Sequence, residues 1–270
     1  MSLFQEGLKR VTRIDSFISE GVTQPIKCIL EDGSEVVVKY PYNNCGTNIL
    51  VREWIGTWIG SVINVPIPEF GLCLLPENVI EIAMAMEGEY CPLDKRNSGI
   101  AFYTRMYEAT TPCQMNWLRS INTYHYAIIV IYDYILNNRD RHDGNILRVI
   151  DKSNSILCID NSHILTDAND LYRNIPKSNM FDEEELYKFF SANKKLFDIL
   201  LKDITPIDFM NLGLDVKSRI SDEVLDTIAK KIPKEWLTGV DYSNIEGIIE
   251  FIKSRVDVLD KVCLEMKEGL

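Results

Sequence analysis

The chain has 270 residues, 46% of them hydrophobic and 26% charged, the balance of an ordinary globular protein with room for one large domain or two lobes. Its formal net charge of −11 argues against a nucleic-acid backbone as the main partner, because such binding needs a basic face that releases counterions. No apolar run nears the ~18 residues that span a bilayer, and seven scattered cysteines without a Cys-x-x-Cys pair speak against a zinc ribbon or a disulfide framework.

Residues 22–40 predict a β-hairpin: Ile26, Cys28 and Leu30 alternate with more polar neighbours, Asp32-Gly33 supplies the turn, and Glu35–Tyr40 returns. Just ahead, Ser19-Glu20-Gly21-Val22-Thr23 offers a single glycine, Gly21, at which backbone can approach a nucleotide phosphate without strain. There is no Gly-x-Gly-x-x-Gly and no Walker motif, which argues against a P-loop ATPase. The returning strand ends Val36-Val37-Val38-Lys39, and a lysine there is either a solvated strand end or a phosphate-binding group. Thr47–Ile63 carries Leu50, Trp54, Thr57, Trp58 and Ser61 at helical spacing, stopped by Pro66 and Pro68. Glu53, beside Trp54, lies near the apolar stripe, where an unpaired carboxylate is costly. Kinase-type sites hold a strand lysine with a glutamate from the next helix, and Lys39 and Glu53 have that order.

Residues 67–75 and 79–86 predict two more strands around Pro76-Glu77-Asn78, with Ile80, Ile82 and Met84 on one face. Glu87-Gly88-Glu89 reads as a hinge, dividing an N-lobe of residues 1–87 from a C-lobe of residues 88–270. Residues 89–119 resist assignment beyond a short helix over Tyr103–Glu108. The length of Ile121–Leu136 favours a buried helix, and Ile146–Ile150 with Ser155–Ile159 predicts a hairpin around Asp151–Asn154. The polar segment 161–181 is expected to lie along a substrate. Asp182–Glu185 is an acidic first turn, Ser218–Ile232 a further helix, and the last helix runs from a capping box, Ser243-x-x-Glu246, to Cys263.

The chemistry sits between the buried helix and the hairpin. The string is Asn137-Asn-Arg-Asp-Arg-His-Asp-Gly-Asn-Ile-Leu147, followed by Ile156-Leu-Cys-Ile-Asp-Asn-Ser-His163. Asp-x-x-x-x-Asn alone is common; the whole string is far more demanding, and its order is that of a phosphoryl-transfer site. Asp140 would accept the proton of an attacking hydroxyl. Asn145 and Asp160 are hard oxygen ligands suited to magnesium (Mg2+), and Lys39, fixed by Glu53, would neutralise phosphate charge. Arg139 and Arg141 either neutralise a phosphate or pair with nearby acids, and His142 and His163 read as hydrogen-bonding groups around the site. No further ligands stand at zinc spacing.

These segments resemble the HipA-like kinases, in the compact form lacking the long N-terminal extension of the toxin HipA. The resemblance runs through Ser19–Pro25, Val36–Lys39, Arg52-Glu53-Trp54, Asn137–Leu147 and Ile156–His163. Asp-Arg-His-x-x-Asn and Ile-Asp-x-x-His are also similar to catalytic segments of phosphatidylinositol 3- and 4-kinases. The resemblance implies an α+β, two-lobed protein-kinase-like fold with a small β-rich N-lobe and a mostly helical C-lobe. It also implies ATP with magnesium, a protein serine or threonine as acceptor, and a toxin–antitoxin setting with a small DNA-binding partner. Ordinary protein kinases differ: Asn138-Arg139-Asp140 stands for His-Arg-Asp, Asp160-Asn161-Ser162 for Asp-Phe-Gly, and no Ala-Pro-Glu follows.

Two alternatives stand beside this reading. One is a small-molecule kinase of the aminoglycoside or choline type, which the Asp140–Asn145 pattern also fits, although such enzymes place His-Gly before the aspartate. The other is a non-catalytic nucleotide-binding or partner-binding module, against which the complete set Lys39, Glu53, Asp140, Asn145 and Asp160 speaks. With no basic-then-apolar leader at Met1–Glu6, a cytoplasmic protein without membrane attachment is expected.

Overall fold

The computed structural model describes residues 7–18, 23–43, 46–107, 110–150, 155–165, 183–237 and 242–268. Gly21, the 151–154 turn and most of the 161–181 segment therefore lie outside the described residues. The chain divides into two compact units: Met1–Trp54 with Pro68–Glu108 and Ile232–Gly239, and Ile55–Ile67 with Ala109–Lys231 and Val240–Leu270.

In the first unit, β1 (Lys9–Phe17), β2 (Ile26–Leu30), β3 (Glu35–Lys39), β4 (Phe70–Leu75) and β5 (Gly99–Arg105) close a barrel in the order β1-β2-β3-β5-β4. Neighbours are antiparallel except β1 and β4, which run parallel with Lys9 opposite Cys73. The register of β1 on β2 slips between Val11 and Arg13 and again between Ile14 and Ser16, irregularities that bend a strand. The expected hairpin is β2–β3: Ile26, Cys28 and Leu30 point inward against Val36 and Val38, and Gly33 takes the turn with φ 82°. Each fully buried aliphatic side chain contributes about 1.5–3 kcal/mol before the entropy of ordering it.

Two segments of this unit depart from expectation. Residues 79–86 are not a strand, because α2 (Glu77–Glu87) begins straight after Pro76. Val79, Ile80 and Ala83 are its buried face, at helical spacing, while Ile82 and Met86 are 58% and 79% exposed. The alternation of Ile80, Ile82 and Met84 was an accident within a helix-forming run of Glu, Ala and Met. Likewise, Tyr103 and its neighbours form no helix but β5, the strand between β3 and β4. Ala101, Phe102 and Tyr103 are all buried there, so no period-2 pattern marks the strand. With α2 and β5 both in the first unit, the expected division at residues 87 and 88 falls inside that unit. Trp236 also belongs to it: fully buried, the indole Nε1 donates to the Ile100 carbonyl at 2.7 Å.

Helix α1 (Asn48–Val62) is buried on nearly every side, and the division between the units falls within it, after Trp54. In the second unit β6 (Thr110–Pro112), β7 (Ile146–Val149) and β8 (Ile156–Cys158) form an antiparallel sheet in that order. The helices are α3 (Met115–Ser120), α4 (Ile128–Ile135), α5 (Glu183–Leu200), α6 (Pro206–Arg219), α7 (Asp222–Lys230), α8 (Tyr242–Asp257) and α9 (Leu259–Glu268). The helix expected over 121–136 is shorter, its first part being a tight turn at Tyr124–Tyr126 ahead of α4. The helix expected over 218–232 is α7, capped by the Ser221 hydroxyl on the Val224 amide. α6 went unforeseen, and the final helix is two, α8 and α9, the first beginning at Tyr242, ahead of the serine expected to cap it.

Candidate active site

Within the first unit, the alternation of β3 turns Val36 and Val38 into the barrel and Lys39 outward. There Lys39 Nζ donates to Glu53 Oε1 of α1. The two side chains are only 12% and 3% exposed, so Lys39 is not a solvated strand end. A charge pair withdrawn from water in this way is poor at adding stability, and a functional role accounts for it better.

Within the second unit, α4 delivers the chain into the catalytic string. All of Ile128–Ile135 is buried, including Asp133. Asp133 meets Arg141 through Nε at 3.1 Å to both carboxylate oxygens and through Nη2 at 3.0 Å to Oδ1. Both side chains are 0% exposed. Burial pushes the Asp133 carboxyl above the ordinary range, and the Arg141 guanidinium opposes that shift. Arg141 Nη1 donates to the carbonyls of Asn145 (3.2 Å) and Ile159 (2.7 Å). The Ile159 amide in turn donates to the Asn145 carbonyl at 3.0 Å. One buried guanidinium therefore pins the backbone of Asn145 to that of the residue preceding Asp160. Arg139 behaves differently, pairing at 2.7 Å with Glu185 of α5.

The rest of the loop is braced in the same way. Asn138, 1% exposed, donates from Nδ2 to Asp133 at 2.9 Å, accepts the Asp140 amide at 3.1 Å, and receives Asn193 Nδ2 on its carbonyl at 2.9 Å. Asp140, held by its backbone, presents its carboxylate at the exposed surface of the loop. Asn145, 7% exposed, donates from Nδ2 to the Asp140 carbonyl at 2.8 Å, which orients its amide. His142 Nδ1 accepts the Gly144 amide at 3.0 Å and caps the tight turn Asp143–Asn145, which braces the loop. Asp160 has φ 61°, a left-handed backbone rare outside glycine, and its Oδ1 accepts the Ser162 amide at 3.0 Å.

Asp140, Asn145 and Asp160 are thus assembled within one unit, and Lys39 with Glu53 within the other. The donor set suits a hard divalent cation: one amide oxygen and one carboxylate, with the remaining positions left to water and phosphate, as magnesium prefers. Among the described residues no group of three or more His, Cys, Asp or Glu could hold a metal, so zinc has no candidate cage. Nor is any helix among them long and apolar enough to cross a membrane. Asp133, Asn138, Asn193 and Tyr132 escaped the sequence reading. The legible signal was Asp133, a lone acid in a run of apolar residues that had to have a partner.

A barrel unit bearing a lysine–glutamate pair, followed by a helical unit bearing an aspartate, an asparagine and an aspartate in the order a phosphoryl-transfer site needs, is the pattern of a protein-kinase-like enzyme. Solved structures agree on the fold. The proinflammatory kinase CtkA of Helicobacter pylori matches with a TM-score of 0.56 at 12% identity over 98% of this chain and 100% of its own. The Golgi casein kinase matches with a TM-score of 0.52 at 11% identity over 97% of this chain and 74% of its own. The fold is therefore the α+β, two-lobed kinase fold. No curated protein matches the chain. Sequence carries the assignment further: the HipA-like kinase profile matches residues 11–262, and the chain belongs to that family of kinases.

Proposed function

We propose that the protein transfers the γ-phosphoryl group of ATP, with magnesium, to a serine or threonine hydroxyl of a protein acceptor. The observation that carries this reading is the loop in which buried Arg141 binds the carbonyls of Asn145 and Ile159, holding Asn145 beside Asp140 and Asp160. Asp140 orients the acceptor hydroxyl and takes its proton as the new oxygen–phosphorus bond forms and the bond to ADP breaks. Lys39, kept in place by Glu53, neutralises nucleotide phosphate charge. Asn145 and Asp160 would hold the magnesium, which supplies charge neutralisation on the phosphates.

We propose by analogy a small DNA-binding, antitoxin-like protein as the restraining partner and the cytoplasm as the compartment. The test is incubation with γ-labelled ATP, magnesium and a cell lysate, then identification of the labelled species. Label on serine or threonine of protein is expected, and Asp140→Ala and Asp160→Ala each abolish it with the fold intact. Label on a small molecule would replace the acceptor class, and full activity in both variants would sink the site. Lys39→Ala should weaken nucleotide binding at least tenfold, and unchanged ATP binding would remove Lys39 from the site.

A further inference from the structure

We propose that Asn161 is a positioning residue for Asp160, strapping the metal-binding aspartate to α1 and α4; the inference rests on reading Asp160 as a metal ligand. Asn161 is 4% exposed, and its Nδ2 donates to Thr57 Oγ1 at 3.2 Å. Its Oδ1 lies 2.8 Å from the Tyr132 hydroxyl, which is also 3.0 Å from the Gly56 carbonyl. The single phenolic proton serves one of these acceptors at a time, so Tyr132 sits at a fork joining α4, α1 and the strap.

Helix α1 is shaped to receive this side chain. A Cβ built on Gly56 would stand 2.8 Å from Asn161 Cγ and 2.9 Å from its Cβ, closer than real contacts allow. Only glycine lets Asn161 cross the helix at this level, although glycine costs a helix stability relative to alanine. The strap ends beside the residue that needs it, since Asp160 holds a left-handed backbone that persists only where its surroundings over-determine it. Asn161 on one side, and Arg141 on the Ile159 carbonyl on the other, are those surroundings. The helix that receives Asn161 also carries Glu53, one turn earlier.

The test reads metal binding directly. Mn2+ is titrated into the full chain with an ATP analogue bearing a non-hydrolysable β–γ bridge, free Mn2+ is followed by electron paramagnetic resonance, and melting temperature is recorded alongside. Outer-shell groups of this kind typically tune metal affinity by about 10–100-fold. Asn161→Ala and Gly56→Ala should raise the Mn2+ Kd about 10-fold or more, and Tyr132→Phe, which keeps the ring, about 3-fold. A Mn2+ Kd unchanged in Asn161→Ala, with binding lost in Asp160→Ala, would overturn the strap and leave the metal reading standing. Wild-type binding in Asp160→Ala would overturn the metal reading itself. If Asn161→Ala does not fold, Tyr132→Phe and Thr57→Val decide, and wild-type Kd in both would again overturn the strap.

Discussion

The Asp133–Arg141 pair allows a prediction in which stability and activity part company. Both side chains are fully buried, and their three close nitrogen–oxygen contacts lie at 3.0–3.1 Å. Asp133→Leu leaves a guanidinium that cannot shed its proton inside the fold, a loss of about 3–5 kcal/mol, or roughly 6–20 °C in melting temperature. Arg141→Met leaves a carboxyl that can take a proton, and burial already pushes its pKa up. Protonating it at pH 7 costs about 1.4 kcal/mol for each unit between that pH and the ordinary value of 3.8, about 4 kcal/mol in all, so at pH 7 the loss is similar in size. The folded state then binds a proton that the unfolded chain releases, so the stability of Arg141→Met rises as pH falls from 7 towards 5. Asp133→Leu shows no such recovery. Combining the two changes replaces a buried ion pair by apolar packing and should return part of the stability, less about 1–3 kcal/mol for each polar group left without its partner, the Ile159 carbonyl and the Asn138 amide. Activity should not return, because the guanidinium that bridges the carbonyls of Asn145 and Ile159 is gone, and label transfer stays about 10–100-fold down. Differential scanning calorimetry at pH 7 and pH 5 with the γ-labelled ATP assay checks all of this. A double variant with parental stability and full activity would refute the positioning role, and Asp133→Leu melting within 2 °C of the parent would refute the energetics.

Other predictions follow from packing and charge. Gly213 of α6 lies against α9, where an added Cβ would meet Cys263 Sγ at 2.8 Å and the Leu259 carbonyl at 3.2 Å. Gly213→Ala should therefore cost about 1–3 kcal/mol, and Cys263→Ala in the same chain should restore part of it. Trp236→Ala removes a fully buried indole and its Nε1–H bond to the Ile100 carbonyl, a loss of about 3–5 kcal/mol measurable by denaturant unfolding. In acid, Asp203 is held below the usual carboxylate range by Lys202 and the Thr123 amide, and Asp32 is lowered to about 2 chiefly by Ser34. Depressed folded values mean that their stabilisation is complete above the ordinary value of 3.8 and is lost as pH falls through the lowered ones. Melting temperature should fall between about pH 4 and pH 2, and Asp203→Asn should flatten that fall.

Legibility in the fold followed the kind of burial each element has. The β2–β3 hairpin buries one face, so alternation and a glycine turn reveal it in one dimension. Strand β5 has neighbours on both sides and three consecutive buried residues, and neither period survives in its sequence. Helix α2 misled in the opposite way, since alternate apolar residues mimicked a strand although Ile82 and Met86 face solvent. Pro76 followed by a Glu-, Ala- and Met-rich run was the better guide, because propensity summed over a window is informative where a short alternation is not.

In the candidate site, the residues proposed to carry the chemistry were readable and the groups that hold them were not. Asp140, Asn145 and Asp160 stand at spacings that chemistry dictates, so a linear pattern finds them. Arg141 stood in the same string as a charge that either neutralises phosphate or pairs with an acid, and only burial decides between the two. At 0% exposure, with all its donor groups occupied, it reaches no substrate and works through backbone carbonyls. Asn161 is the same lesson without a charge, for nothing in a sequence says that an asparagine after Asp160 lies across a glycine of α1. The apparatus that holds the two proposed ligands is thus made of contacts that no motif spacing announces, Asp133 to Arg141 and Thr57 to Asn161, whose partners stand 8 and 104 residues apart. A substitution at Asp133 or Thr57 lies outside the quoted strings and should still move the residues that those strings name.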